Sequence, residues 1–458
     1  MVNKKMNFAV FVSVLFGVSC AVGCAPQQKR VKITVGITEE SVHFDSLKRE
    51  FEENYPQYEI IYSPYVYSAD SVAAKYVSGQ LPTVFEADAS LVKSALNNGY
   101  IRDIRDDLRS FGWLDKADAY FLSRISDGGK VCGVPAEQYC AGMVLNLPCL
   151  YGAGVIDRDG DGNYILYKDG VAVYPDTFEK IEAACAKISA TYGASAYGLF
   201  LSAGDNGSGQ IFTDIAYSFG SGNLEYEDEN GNLKVSLSCD GFSNAMRWVK
   251  NMSQLKYVDV NERYGLDGWA PAMSRGNTGF AFCQSNVLTT ALAAYPSLSG
   301  NIAFVPMPSE SSSVWCGKVY AVNGRATDEQ VQGALTFLKY MGYGPDTDKQ
   351  SEAAFERRIK DLYDRNVSVF PSIPVWDDEN YRDMSERIYN KYSNINTEYF
   401  KAYLDSFDAV KREGEPVARE QLYYEINGLF EKMLFEPTLI NIVTLLEEKE
   451  NEFNAKYL

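Results

Sequence analysis

Val131-Cys-Gly-Val-Pro-Ala-Glu-Gln-Tyr139-Cys140-Ala-Gly-Met-Val-Leu-Asn146-Leu-Pro148 is the stretch on which the reading of this chain turns. It opens with Gly133-Val134-Pro135, holds Cys140 in an apolar and aromatic setting, and runs into Met143-Val144-Leu145-Asn146, the pattern of a strand start. Short apolar segments alternate with helical segments before it, and the alternation resumes after it. This predicts a crossing point between two α/β lobes. Any ligand is expected nearby, because ligands of open α/β sheets sit at strand carboxyl ends and between domains.

Working back from the crossing, Lys32 to Gly36 alternates like a strand, and Glu39 to Asn54 has helical spacing with Phe44, Leu47 and Phe51 on one face. Tyr58 to Tyr62 is a second strand. Ser71 to Ser78 is a helix closed by Gly79. Thr83 to Asp88 is a third strand ending in acids, and Leu91 to Asn98 is a helix closed by Gly99. The order βαβαβα predicts a parallel sheet with right-handed crossovers.

Working forward, Asp157-Arg-Asp159-Gly-Asp161-Gly162-Asn163 has the start of a calcium loop, in which alternate carboxylates wrap a hard cation. Lys168 stands where that loop needs its bidentate acid. Two readings stay open: a calcium ion held by Asp157, Asp159 and Asp161, the one cofactor the sequence offers, or a solvated hairpin tip. Thr177 to Thr191 reads as a helix. Glu225-Tyr-Glu-Asp-Glu-Asn-Gly-Asn232 is an acidic turn, with Asn-Gly favouring a hairpin. Phe242 to Met252 is a helix with Met246 and Val249 inward. From about residue 352 to 458 the chain reads as mostly helical. Tyr389, Tyr392, Tyr399, Phe400 and Tyr403 recur at helical spacing and are expected in the core.

The composition narrows the function. At 458 residues the chain is too long for a single core. A net charge of -18 repels phosphate backbones and argues against nucleic acid as a partner. The 32 Tyr and 24 Phe suit a cleft that stacks on sugars, heterocycles or cations. The single histidine, His43, falls on a helix face and is expected at the surface. A Ser-His-Asp triad would need this residue as its base, and catalytic zinc sites usually take two or more histidines. Beyond residue 24 no pair of cysteines has metal-type spacing.

Residues 1–24 combine a charged start, an apolar run from Phe8 to Val18 and small residues before a cysteine. This is the pattern of an export signal too short to span a membrane. Ala21-Val22-Gly23-Cys24 resembles a bacterial lipobox, with Gly17-Val18-Ser19-Cys20 as the competing site. Lipidation at Cys24 would tether the mature chain to the outer face of a membrane. In an exported chain a disulfide at Cys132 or Cys140 is open, and it would silence the thiol.

Taken together, these residues resemble the extracellular solute-binding proteins of ABC transporters, in the carbohydrate-type family 1 group. The matching pieces are Phe51-Glu-Glu-Asn-Tyr-Pro56, Leu81-Pro82 through Asp88, Gly99-Tyr-Ile101, Gly133-Val-Pro135 with Val144-Leu-Asn146, Trp269 to Phe282, and Ile302 to Pro308 followed by Gly317. The resemblance implies an α/β, two-lobed periplasmic-binding-type (type II) fold, with an interlobe cleft and a helical C-terminal region. Lobe one is expected over 31–138 and 320–372, and lobe two over 142–314 and 373–458. It implies a monomer, exported and lipid-anchored, that captures a small solute such as a sugar or thiamine-like heterocycle for an ABC permease. The expected ligand-binding residues are Asp88, Tyr139, Cys140, Gln284, Asn286 and Trp315, with Tyr139 and Trp315 stacking.

A second resemblance is nested in the first. Thiaminase I, an enzyme on the same fold, is similar in Val84-Phe-Glu-Ala-Asp88 and in Gly133-Val-Pro-Ala-Glu-Gln-Tyr-Cys140. It implies Cys140 as nucleophile and Asp88 as its supporting acid. Where that family carries its basic glutamate, this chain has Gln284 and Asn286, which take no proton at neutral pH. Glu137 and Glu86 are the acids left to serve. Binding without turnover is therefore the leading expectation.

Overall fold

The computed structural model describes residues 30–37, 44–65, 68–193, 195–309, 312–369, 371–407, 409–436 and 440–458. The export signal, Cys20, Cys24 and His43 lie outside them, as does the 39–43 start of the first expected helix.

The amino-terminal half folds as the alternation predicts. It runs β1 (Val31–Ile37), α1 (Phe44–Asn54), β2 (Tyr58–Pro64), α2 (Ala69–Val77), β3 (Val84–Asp88) and α3 (Val92–Asn97). β1 pairs in parallel with β2 from Val31↔Tyr58 to Ile37↔Pro64, and with β3 at Val35↔Val84. Gly79 and Gly99 close their helices at φ +71° and +72°, a region costly for any residue with a Cβ.

The crossing is a single residue long. β4 (Val134–Tyr139) belongs to the first sheet and β5 (Ala141–Asn146) to the second, and Cys140 alone separates them. The second sheet is completed by β6 (Leu199–Phe200), β7 (Phe280–Gln284) and β8 (Ile302–Val305), in the order β6-β7-β5-β8. The chain then returns through β9 (Ser312–Val322), which runs antiparallel to β3 and β4. Gly317 lets this strand pass its own indole, since a Cβ there would lie 2.7 Å from the Trp315 ring.

Helices flank both sheets: α4 (Phe178–Tyr192), α5 (Asn206–Ser218), α6 (Asp240–Gln254), α7 (Asp328–Tyr340), α8 (Lys349–Asp364), α9 (Glu379–Tyr392), α10 (Glu398–Ser406), α11 (Arg419–Phe435) and α12 (Ile442–Tyr457). α7 covers β1, α10 covers β8, and α11 packs on α5 and α6. Phe51 of α1 meets Phe337 of α7 edge-on at 4.9 Å between ring centres, and both are fully buried. Rings buried this completely contribute about 1.5–3 kcal/mol each. Met246 and Val249 point inward from α6 as their spacing predicts.

The region after residue 352 is mostly helical, as expected, and within it β10 (Lys411–Gly414) adds a parallel edge strand to the first sheet, paired with residues 312–315 of β9. The seven described cysteines, Cys132 and Cys140 among them, form no disulfide with one another.

In sequence the acidic loop is open between a calcium site and a hairpin tip. Asp157, Asp159 and Asp161 do not gather as a metal cluster, and among the described residues no group of three such side chains does. Asp159 Oδ1 instead accepts from the backbone N–H of Asp161 (3.0 Å) and Asn163 (2.8 Å), and its Oδ2 from the Asn163 amide. The acidic turn at 228–232 repeats these bonds, with Asp228 Oδ1 accepting from Asn230 and Asn232 at 2.9 and 2.8 Å. There an Asn stands where the calcium reading needs Asp161. The motif is a carboxylate-closed hairpin turn in both places, with Gly162 and Gly231 at positive φ.

Candidate functional site

A cavity of about 390 Å³ lies where the two sheets meet at the crossing. Glu86 of β3, Glu137 and Gln138 of β4, and Lys318 and Tyr320 of β9 form its wall on the first sheet. The alternation of strand side chains puts Glu86, Lys318 and Tyr320 on one face, because Tyr320 stands opposite Glu86 and Lys318 opposite both Asp88 and Glu137. On the second sheet, the turn after β7 brings in Ser285 and Asn286, and β8 brings in Phe304.

Helices close the remaining sides. Asp348 caps α8, its Oδ1 accepting from the N–H groups of Gln350 and Ser351. The helix then presents Arg358, Asp361 and Leu362, with Arg365 just past its end, all at i, i+3, i+4 and i+7 and so on one face. α10 presents Phe400, Tyr403 and Leu404 by the same spacing, and α9 supplies Tyr389.

Charges in the wall are largely matched. Lys318 Nζ lies 3.2 Å from Glu137, and Arg365 lies 3.1 Å from Asp361. Burial works to lower the Lys318 pKa, but the charge and hydrogen bond of Glu137, with Glu86 and Asp88 behind it, hold it above its ordinary value. Arg358 stacks over Tyr343 at 4.5 Å and Phe355 at 4.9 Å. Asn286 Oδ1 is buried and finds no hydrogen-bond donor among the described residues. An unsatisfied buried acceptor costs about 1–3 kcal/mol, recovered when a bound molecule donates to it. Ring faces beside carboxylates, amides and guanidinium groups form a surface that fits a hydroxyl-rich molecule.

Of the six expected binding residues, only Asn286 lines this cavity. Trp315 is 2% exposed; its Nε1–H donates to Gln138 Oε1 at 2.9 Å, and its ring packs edge-on against Tyr120 and Phe121. An odd separation along β9 turns it to the face opposite Lys318. Cys140 is 3% exposed and is not among the residues that line this cavity. Its backbone is clasped instead: Tyr403 Oη donates to Cys140 O at 2.9 Å, accepts from Cys140 N–H at 3.1 Å, and lies 3.1 Å from Ser285 Oγ.

Asp88, Tyr139 and Gln284 belong to a second, largely buried cluster further along the same strand face. Arg419, at the start of α11, is its centre. Its Nη2 donates to Asp88 Oδ2 at 2.7 Å, and its Nη1 to both Glu415 oxygens at 2.9 and 2.8 Å. Burial disfavours the guanidinium charge, but Glu415 and Asp88 outweigh that and hold it protonated. Beside it, Cys316 Sγ accepts from Gln210 at 2.8 Å and faces Gln284 at 3.8 Å. Burial pushes the Cys316 thiol and the Tyr139 phenol well above their ordinary pKa values, so both stay protonated. Under the thiaminase resemblance Asp88 supports the nucleophile; here it is the partner of Arg419.

The aromatic stripe read as core is partly cavity wall. Tyr389, Phe400 and Tyr403 are buried and line the cavity at once. Arg358 and Arg365 escaped the sequence reading, although charges of both signs recurring at i, i+3 and i+7 on one buried helix face are a signal for such a wall.

The family described as bacterial extracellular solute-binding protein matches residues 46–355, and the chain belongs to it. No curated relative matches the chain. Solved structures place the fold. An ABC transporter solute-binding protein of Thermotoga lettingae bound with α-D-tagatose aligns at TM-score 0.66 and 14% identity, over 93% of this chain and 99% of that one. The GacH receptor of Streptomyces glaucescens, solved unliganded and with acarbose, aligns at 0.64 and 17% identity, over 93% and 99%. UgpB of Mycobacterium tuberculosis in complex with glycerophosphocholine aligns at 0.65 and 14% identity, over 93% and 98%. The fold is the two-lobed periplasmic-binding type that these proteins share.

Proposed function

We propose that this chain is the capture component of an ABC importer, tethered by lipid at Cys24, and that it binds a small hydroxyl-rich solute in the cavity between its sheets. The two sheets are then the cores of two lobes, 31–138 with 320–372 and 142–314 with 373–458, with 411–414 lending an edge strand to the first. Carrying the reading is the buried Asn286 Oδ1, unsatisfied among the described residues, in a wall of rings and paired charges contributed by both sheets. Structural neighbours solved with tagatose and acarbose support the solute class. Closure of the lobes about the crossing strands accompanies capture, as in other hinged binding proteins.

Thermal melting of the purified chain against a panel of mono- and disaccharides, polyols and thiamine tests this. A solute at a hundredfold its Kd raises stability by about 2.7 kcal/mol. At least one polyhydroxylated solute is expected to shift the wild type; Tyr389→Ala is expected to lose the shift, and Asn286→Ala to keep about half of it. A shift left unchanged in both variants would mean the solute binds elsewhere.

A further inference from the structure

A second, smaller cavity of about 130 Å³ abuts the first. Glu86, Tyr320, Tyr343, Arg358 and Asp361 line both, so nothing thicker than those side chains divides them. Beyond that shared rim the chemistry changes. The small cavity is lined by Ile37, Phe44, Leu47, Met341 and Ala354, with the edge of Tyr340. Among the described residues its one ionised side chain outside the rim, Arg357, is engaged with Glu50 at 3.1 Å and stacks over Tyr340. An apolar cavity of roughly 150 Å³ takes one benzene ring, so this one suits a single six-membered apolar ring. The large cavity carries more hydrogen-bonding groups in its wall, and beyond the rim the described residues of the small one offer hydroxyls few partners.

We infer that the two cavities are halves of one site, and that the solute is a glycoside: a sugar in the large cavity joined to a phenyl-sized apolar aglycone in the small one. The rim suits the junction. Tyr320 and Tyr343, 4.8 Å apart between ring centres, offer ring surface to the aglycone, while Glu86 and Arg358 meet the last sugar hydroxyls. This rests on the reading of the large cavity as the seat of a hydroxyl-rich solute.

Calorimetry on the full chain with matched methyl and phenyl β-glycosides of glucose, galactose, mannose and xylose is the test. Whichever sugar binds is expected to bind roughly tenfold to a hundredfold tighter as its phenyl glycoside, the return on burying one ring. Ala354→Leu, filling the small cavity from α8, should bring the phenyl-to-methyl ratio near one. Leu47→Trp, filling it from α1, should do the same if the first variant folds poorly. Equal affinities in the wild type, or a ratio that survives both variants, would overturn the inference. Fluorine NMR of fluorobenzene separates the two readings. Lines broadened by the wild type and sharp with either variant, in a chain that binds no glycoside, would keep the apolar subsite and remove the sugar. Sharp lines with the wild type would remove the subsite.

Discussion

Two acid-bearing sites stand side by side on one strand face, and they are finished differently. At one, Asp88 and Glu415 enclose Arg419, a cation supplied by the chain itself 331 residues beyond Asp88. At the other, Glu86, Glu137 and Asp361 border a cavity whose rings and amide face inward. The first site has used its charges to hold the fold together. The second has kept an acceptor, Asn286 Oδ1, buried without a donor among the described residues. Proximity to the crossing is therefore not enough to mark a binding residue, and the state of its hydrogen bonds separates the two kinds.

The largest expected effect breaks the first site. Arg419→Ala leaves Asp88 and the nearly buried Glu415 without their counter-charge. Urea unfolding should show a loss of about 3 kcal/mol, the cost of a buried charge stripped of its partner. A loss under about 1 kcal/mol would mean the cluster is not structural.

Next is Asp214 of α5, fully buried beside the same cluster. Burial pushes its carboxyl up to about 7, despite hydrogen bonds to Oδ1 from Val314 N–H and Ser313, while Oδ2 has no partner among the described residues. A carboxyl whose folded pKa lies above its unfolded value keeps its proton longer when folded. The fold therefore binds more protons than the unfolded chain between about pH 4 and 7, and stability falls as pH rises through that window. Between pH 5 and pH 8 this group should cost the wild type on the order of 2 kcal/mol. Asp214→Asn, which keeps the Oδ1 acceptor, should flatten that slope in melts across pH.

The smallest stability effect sharpens the contrast from the other side. Asn286→Ala should change unfolding free energy by less than about 1 kcal/mol, because no protein partner is lost. Its affinity for the solute should fall about tenfold. If instead the variant unfolds easily and binds normally, the cavity and the cluster have been assigned the wrong way round.

The order β1-α1-β2-α2-β3-α3 was legible because each element is written locally, in alternation, helical spacing and glycine stops. The crossing was legible for the same reason. β10 was not, because Lys411-Arg412-Glu413-Gly414 has no apolar alternation and is a strand only through its pairing with β9. Tyr389, Phe400 and Tyr403 were taken for core because a cavity-lining ring and a core ring obey the same helical spacing. Trp315 lies on β9 but faces away from the cavity, because it is an odd number of residues from Lys318. The partner of Asp88 arrives from a helix that no local pattern connects to it.

The order of the first sheet carries a consequence for how the chain is made. β9 lies between β3 and β10, so no amino-terminal fragment that stops short of residue 414 contains the complete first sheet. Tyr403, which clasps the backbone of Cys140, comes 263 residues after it. During synthesis most of the polypeptide must therefore exist before the two halves can be joined and their junction fixed. Pairings this distant form late. A chain that completes its first sheet only near the end of its synthesis remains threadable while it is being exported.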